Sequence, residues 1–306
     1  MIDKKIYVIV VIYNGMTWIQ KCFASLINSS LPLHIIAIDN ASTDNSCAFI
    51  KENFNAVELI ETICNLGFGK ANNIGLRKAI KEKADYVFLL NQDAWVENDC
   101  IEKLVIFFEQ NKNFSLLSPF HFNYDEAGLE FYFEEYVLKQ YTKGFSFNST
   151  SSQDCSKAYE TEFVHAAAWL LPIETITKIG GFDPLFTHTG EDNDFIQRLQ
   201  FKGMKAGILS TSKVYHKGTN AGLKDVKNNY SQILNNVLLK LKNPSASIIG
   251  AFWLYYRWAL INYIKNIFRK KCLITILQKK ILIHIILNSL KIISSRKLQI
   301  DSKSYL

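Results

Sequence analysis

The chain has 306 residues, 48% hydrophobic and 13% aromatic, with only five prolines. That composition excludes an intrinsically disordered protein and suits one large α/β domain, or one domain with an appendage. The formal net charge of +7 is modest, and six cysteines (Cys22, Cys47, Cys64, Cys100, Cys155 and Cys272) stand far apart with no CxxC pair, so reduced, mostly buried thiols are expected rather than a zinc site or disulfide framework.

Near the amino terminus, residues 6–13 form an apolar run too short to span a bilayer. It ends at Asn14-Gly15 rather than at a small-residue cleavage site. It reads as a buried strand and not a signal peptide, which places the protein in the cytoplasm. Up to residue 119 the pattern alternates. Strands are expected at residues 6–13, 34–39, 57–60, 86–90 and 115–118, and helices near 17–29, 44–52, 70–83 and 99–110. Continuous apolar strands alternating with helices predict an α/β fold with a mostly parallel sheet covered on both faces. Ligands of such sheets bind beyond the carboxyl ends of the strands, where Tyr13-Asn14, Asp39-Asn40 and Asn91-Gln92-Asp93 fall.

Residues 120–162 lose the alternation and are expected to form irregular or antiparallel structure over that crevice. Pattern then returns: an apolar run through Trp169 and Leu171, a helix after Pro172, a Gly180-Gly181 turn, a helix from Asp192, and short strands at 206–209 and 213–215. Beyond Gly222 the sequence reads as helical, with a break at Asn243-Pro244. Two regions follow, residues 1–222 and a helical extension at 223–306.

Several segments carry side chains suited to chemistry. Phe88-Leu89-Leu90-Asn91-Gln92-Asp93 is an apolar strand run ending in a carboxylate. Asp93 can ligate Mg²⁺ or Mn²⁺, which take oxygen ligands and are commonly shared with phosphates. It can also cap a helix, although Asp99 lies nearer the expected helix start. Asp39 can accept the N3–H of a pyrimidine, or serve only a turn in which Ser42 or Thr43 caps the next helix. The loop from Asn65 through Gly67 to Asn72 and Gly75 leads into a helix and can present backbone N–H groups to phosphate. It is neither a Walker loop nor the GxGxxG dinucleotide fingerprint. Glu191-Asp192 opens a helix after a glycine turn; the carboxylates suit the helix dipole and also offer a base for a sugar hydroxyl. His216, in Val214-Tyr215-His216-Lys217, is a candidate metal ligand or a structural histidine.

Taken together, Val11–Gly15, Ile38–Asp44, Asn65–Gly69, Asn72–Gly75, Leu90–Asp93, Gly180–Asp183, Glu191–Phe195 and Val214–Gly218 resemble, in order and over about the first 220 residues, the family 2 glycosyltransferases of the GT-A fold, rhamnosyltransferase-like branch. The resemblance implies that Tyr13, Asn14 and Asp39 line the nucleotide pocket. It sets Asn65, Gly67 and Asn72 beside the ribose and diphosphate. Asn91 would stand at the first acidic position of the metal motif, Asp93 at its last and His216 at a further metal or phosphate contact. Asp192 would be the general base of an inverting transfer, with Glu191 in reserve. The motif here reads Asn-Gln-Asp, with fewer fixed charges than a DxD. The segment His165-Ala166-Ala167-Ala168-Trp169 replaces a usually glycine-containing acceptor-side stretch, where Trp169 can stack on a sugar or fill the core.

From Ser245 to Ile300 the charged residues are all basic: Arg257, Lys265, Arg269, Lys270, Lys271, Lys279, Lys280, Lys291, Arg296 and Lys297. They are interleaved with Trp253, Tyr255, Trp258 and many aliphatics. This suits a helix on an anionic lipid surface better than nucleic-acid binding; a soluble helical cap and a spanning segment are the other readings. The combined expectation is a cytoplasmic transferase, peripheral on the inner face of the plasma membrane. It would use a divalent ion to move rhamnose from dTDP-rhamnose to a lipid-linked bacterial surface glycan such as an O-antigen. A UDP-hexose donor and a non-catalytic scaffold are the alternatives, and a dinucleotide-dependent oxidoreductase lacks its fingerprint.

Overall fold

A computed structural model describes residues 3–144, 157–186, 189–218, 230–268, 272–300 and 305–306, with the side chains of residues 266–275 outside the description. The chain begins with seven apolar residues in β1 (Ile6–Ile12), then α1 (Ile19–Ile27), β2 (His34–Asp39), α2 (Ser46–Asn53), β3 (Val57–Glu61), α3 (Phe68–Lys81) and β4 (Tyr86–Asn91). β1 pairs in parallel with β2 on one side and β4 on the other, and β2 pairs in parallel with β3. The chain therefore winds outward to β3 and returns to β4 on the opposite flank of β1. The reversal leaves a crevice at the carboxyl ends of β1 and β4, where ligands of open sheets bind.

Next come β5 (Ala94–Val96), α4 (Cys100–Gln110), β6 (Leu116–Asn123), a π-helical segment (Phe133–Tyr141), β7 (Ala158–Thr161), β8 (Ala168–Pro172), α5 (Ile173–Ile179), α6 (Glu191–Phe201) and β9 (Ala206–His216). The sheet runs β3-β2-β1-β4-β8-β6-β9-β5, with β7 also on β9. Val8 and Val10 of β1 face a core shared with α1 and α4, while Tyr7 and Ile9 face one shared with α3, α5 and α6. Burial on both faces is why β1 reads as an unbroken apolar run.

The structure departs from the sequence expectations in three places. β8 enters the sheet antiparallel to both β4 and β6. The strand expected to stop at Ser118 continues to Asn123. Its register shifts between Pro119 and Phe120, where the missing proline N–H is accommodated by a bulge. The two short strands expected at 206–209 and 213–215 are one strand, held through its polar middle by Ser212, whose buried hydroxyl donates to the Cys100 carbonyl at 2.9 Å. Of the cysteines, Cys22 and Cys100 are buried but Cys64 is exposed.

The extension consists of α7 (Tyr230–Lys242), α8 (Ile248–Phe268), α9 (Cys272–Leu287) and α10 (Ser289–Ile300), broken at Asn243-Pro244 as expected. Leu234, Leu238, Leu241, Tyr255, Ile281, Ile285 and Ile292 form its own core with Phe186. The expected boundary at residue 222 lies outside the described residues, as do Arg269, Lys270 and Lys271. Arg296 is no part of a solvated basic face: it is buried, and its guanidinium donates to the carbonyls of Leu241 and Ala246. Among the described residues, no helix is long and apolar enough to cross a membrane.

Candidate functional site

At the end of β1 the backbone turns sharply. Gln92 clasps Tyr13 through two hydrogen bonds, accepting from its N–H at 2.9 Å and donating to its carbonyl at 3.1 Å. A β-carbon on Gly15 would lie 2.6 Å from the Gln92 side-chain oxygen and 2.9 Å from Ile19 Cγ2, so a side chain there would displace both. Asn14 sits at φ 49° and accepts from the Thr43 N–H at 2.8 Å, tying the first strand end to the second. That oxygen is committed to the turn, while the residue itself is exposed. At the end of β2, Asp39 is buried; Oδ2 accepts from the Ser42 N–H at 3.0 Å, while Oδ1 has no hydrogen-bond partner. Burial, then the neighbouring Asp39, pushes the Cys47 thiol up to about 12. The α2 turn is capped by Asp44, which accepts from Ser46 N at 3.0 Å, and not by Ser42 or Thr43.

Asn40 donates to Asn65 at 3.0 Å and accepts from the Leu66 N–H at 2.7 Å, fixing the loop before α3. Gly67 opens α3 at φ 81°, a conformation that glycine adopts without penalty. Tyr13, Asn65, Gly67, Asn91 and Asp93 thus line one cleft of about 280 Å³ together with Asn40, Phe68 and Gln92. Asn72 does not reach it: the side chain is buried and donates back to the Phe68 carbonyl at 3.1 Å.

The antiparallel pairing of β5 with the last residues of β9 brings the metal-motif carboxylate to the late histidine. Lys217 N donates to the Asp93 carbonyl at 3.1 Å, and Asp93 Oδ1 lies 3.5 Å from His216 Nε2. Asn91 Nδ2 approaches the same ring nitrogen at 3.4 Å. Burial alone would raise the Asp93 carboxyl, but the hydrogen bond and charge of His216 hold it below its ordinary value. One carboxylate and one imidazole at a partly open cleft rim suit a divalent ion whose remaining positions go to diphosphate oxygens.

Two histidines not assigned to the metal site stand beside His216. His121, from the extended β6, and His165, before β8, have ring centroids 6.2 Å and 5.7 Å from it. Burial pushes His121 well below its ordinary value, and burial and then His216 hold His165 at about 3. The signal for His121 was a lone histidine in an apolar strand run, hidden by ending that strand at Ser118. Tyr132, partly exposed, packs edge-on against His165 at 5.6 Å, and its hydroxyl is raised by burial and then by the charge of Asp192.

Glu191 and Asp192 open α6 after Gly190. Glu191 is buried with Oε2 unpartnered, and Asp192 is partly exposed with Oδ1 accepting from Asn193 N at 2.7 Å. Burial, then the charge of Asp192, raises Glu191 to about 7; burial also raises Asp192. Asp194 is separate: fully buried, it receives Arg198 at 2.9 Å, Lys242 at 2.8 Å and Gln299 at 2.8 Å. Trp169 corrects the acceptor-side expectation. It is fully buried between Phe182 and Phe195, with ring centroids 6.2 Å and 5.5 Å away, and fills the core.

Comparison with known proteins bears on the family and the fold. The family model for glycosyl transferase family 2 covers residues 7–171. An uncharacterized glycosyltransferase of Haemophilus influenzae is 34% identical over 129 residues, 41% of this chain and 49% of that protein. The dTDP-rhamnosyl transferase RfbF of Shigella flexneri is 25% identical over 130 residues, 41% of either chain. The crystal structure of GalNAc-T7 with UDP, GalNAc and Mn²⁺ shares the fold with a TM-score of 0.60 at 15% identity, covering 77% of this chain and 47% of that one. The chain spans less than half the length of the curated relatives it matches.

Proposed function

The chain belongs to glycosyl transferase family 2, and from that premise we propose that it transfers a sugar from a nucleotide-diphospho-sugar to an acceptor hydroxyl with inversion at the anomeric carbon. The donor is dTDP-rhamnose and the acceptor a lipid-linked bacterial surface glycan, met at the inner face of the plasma membrane. The observation that carries this reading is the convergence of Asp93 and His216, 3.5 Å apart, at the rim of the cleft between β1 and β4.

In this reading the exposed Tyr13 ring borders the nucleoside, and Asp39 Oδ1 accepts the pyrimidine N3–H that its burial otherwise leaves it without. Asn65 and Gly67 border the ribose and diphosphate, and Asn91 steadies His216. Asp93 and His216 would hold Mg²⁺ or Mn²⁺. Such an ion, when bound, supplies positive charge to the departing diphosphate. Asp192 takes the proton of the acceptor hydroxyl while that oxygen attacks the anomeric carbon, so no covalent intermediate is needed. Glu191 beside it, buried and raised to about 7, is the reserve base. The resemblance to a dTDP-rhamnosyl transferase supports the donor.

The extension supports membrane contact. Ile249, Trp253, Leu254 and Leu260 of α8 are exposed, with Arg257 and Lys265 exposed among them. Aromatic, aliphatic and basic side chains on one exposed helix suit an anionic lipid surface.

The test is turnover of dTDP-rhamnose and UDP-hexoses with a lipid-linked acceptor. The expected result is inverted product with dTDP-rhamnose, abolished in Asp192→Asn. Turnover with a UDP-hexose alone would replace the donor, intact turnover in Asp192→Asn would remove Asp192 as base, and no turnover with any pyrimidine donor would contradict the proposal.

A further inference from the structure

The histidine cluster has a feature that the nucleotide cleft does not use. His121, His165 and His216 each offer a ring nitrogen, and these atoms all lie within 4.8 Å of one another. Topology brings them together. His121 on β6 pairs in register with Val214 on β9, two residues before His216, so both imidazoles stand on one sheet face. The loop that carries His165 is drawn in where the Asn91 N–H donates to the Ala167 carbonyl at 2.9 Å.

Ser118 Oγ lies 2.9 Å from His121 Nε2 and 2.9 Å from the Ala168 carbonyl. When the hydroxyl donates to that carbonyl it accepts from His121 Nε2–H, which leaves Nδ1 as a bare lone pair. His165 presents its Nε2 side to Glu130, 3.9 Å away, a buried carboxylate held by the N–H groups of Tyr132 and Phe133. An imidazole with one nitrogen on a hydroxyl or carboxylate and the other free is the usual arrangement behind a metal ligand. The Nδ1 atoms of all three histidines are buried without a hydrogen-bond partner. His121 is fully buried, stacked on Phe133 at 4.7 Å, and His216 is nearly so. A buried polar atom without a partner is unfavourable, and three in one cluster call for a shared one.

We infer that His121, His165 and His216, with Asp93 beside them, form a site for one divalent transition ion of the nitrogen-preferring kind, such as Zn²⁺ or Co²⁺. Imidazole nitrogens favour these ions, whereas Mg²⁺ demands oxygen ligands. Nitrogens about 2.1 Å from a tetrahedral ion stand roughly 3.4 Å apart, so the rings close by about 1 Å on binding. The inference shares Asp93 and His216 with the proposed donor site and deepens it: the site takes its ion without a nucleotide, and its preference departs from Mg²⁺.

The test is a Co²⁺ titration of the chelator-stripped, untagged full chain with no nucleotide present, read by visible ligand-field absorption and followed by Zn²⁺ competition. The expected result is one Co²⁺ per chain without a thiolate charge-transfer band, displaced by Zn²⁺ but not by a large excess of Mg²⁺. His121→Gln and His165→Gln should each weaken uptake by at least the roughly 10–100-fold that losing an outer-shell partner costs. Circular dichroism checks that both variants fold, and the partly exposed His165 is the safer of the two. No Co²⁺ absorption in the native chain, or uptake unchanged in both variants, would overturn the inference even if pyrimidine nucleotides bind. Normal Co²⁺ uptake with no nucleotide binding would leave it standing and contradict the proposed function alone.

Discussion

Lys242 offers the sharpest stability prediction, because the extension is locked to α6 through it. The side chain is fully buried and pairs with Asp183 and, at 2.8 Å, with Asp194. Arg198 supplies the second positive charge at 2.9 Å from Asp194; Ser295 and Tyr305 donate to Asp183 at 2.6 Å and 3.0 Å. Two carboxylates and two cations balance, so Lys242→Met leaves one buried negative charge uncompensated. At an effective dielectric of about 20, the 2.8 Å pair alone attracts by about 6 kcal/mol, most of which offsets desolvation. Removing one member of such a buried pair costs about 3–5 kcal/mol. At about 2 °C per kcal/mol for a chain of this size, the melting temperature should fall by roughly 6–10 °C. Thermal unfolding by circular dichroism at neutral pH measures it for native, Lys242→Met, Asp183→Asn and the double variant. The double variant restores neutrality and should lose less than the sum of the singles by more than about 1 kcal/mol. A shift under about 2 °C, or strict additivity, would refute the reasoning.

Burial raises Asp192 above its ordinary value, and burial with the charge of Asp192 raises Glu191 to about 7, so turnover should fall on the acid side as the base is protonated. Because a carboxyl with a raised folded value is protonated more readily in the folded chain, this group's stabilising contribution falls as pH rises from the ordinary carboxylate range to about 7. Glu191→Gln should keep turnover with Asp192 as the base; a loss as deep as that in Asp192→Asn would make Glu191 the base instead. Trp169→Ala should cost about 3–5 kcal/mol in denaturant unfolding while nucleotide affinity at 25 °C stays unchanged; loss of affinity at full folding would return Trp169 to the site. Flotation with anionic vesicles should retain the native chain at low salt and lose a Trp253→Ser, Ile249→Ser variant, whereas equal flotation would remove α8 as the contact.

Much of this arrangement is legible in the sequence, and for identifiable reasons. β1 and β4 are buried on both faces, so continuous apolar runs mark them and their polar ends mark the cleft. Asp93 stands out because Asp99 lies nearer the helix start, whereas His216, which could equally be structural, is marked only by the resemblance. Other features depend on partners far along the chain. That Asn14 serves a turn follows only from Thr43, and that Asn72 turns back on α3 follows only from its burial. Trp169 shows no outward sign of whether it meets a sugar or Phe182 and Phe195. Arg296 reads as one of a run of basic residues, and Lys242 gives no sign of its role, because the carboxylates and carbonyls that hold them come from elements some 50 residues away or more. His121 was missed because Pro119 looks like a strand end, while the bulge there lets the strand continue.

Donor recognition is the central claim, and calorimetric titration tests it most directly. The purified chain would be titrated with dTDP, UDP, GDP and NAD, each with and without Mn²⁺, beside Asp93→Ala. The account predicts pyrimidine nucleotide binding that Mn²⁺ strengthens and that Asp93→Ala loses, with no binding of GDP or NAD. Absence of dTDP and UDP binding, or pyrimidine binding unchanged in Asp93→Ala with Mn²⁺ present, would contradict it.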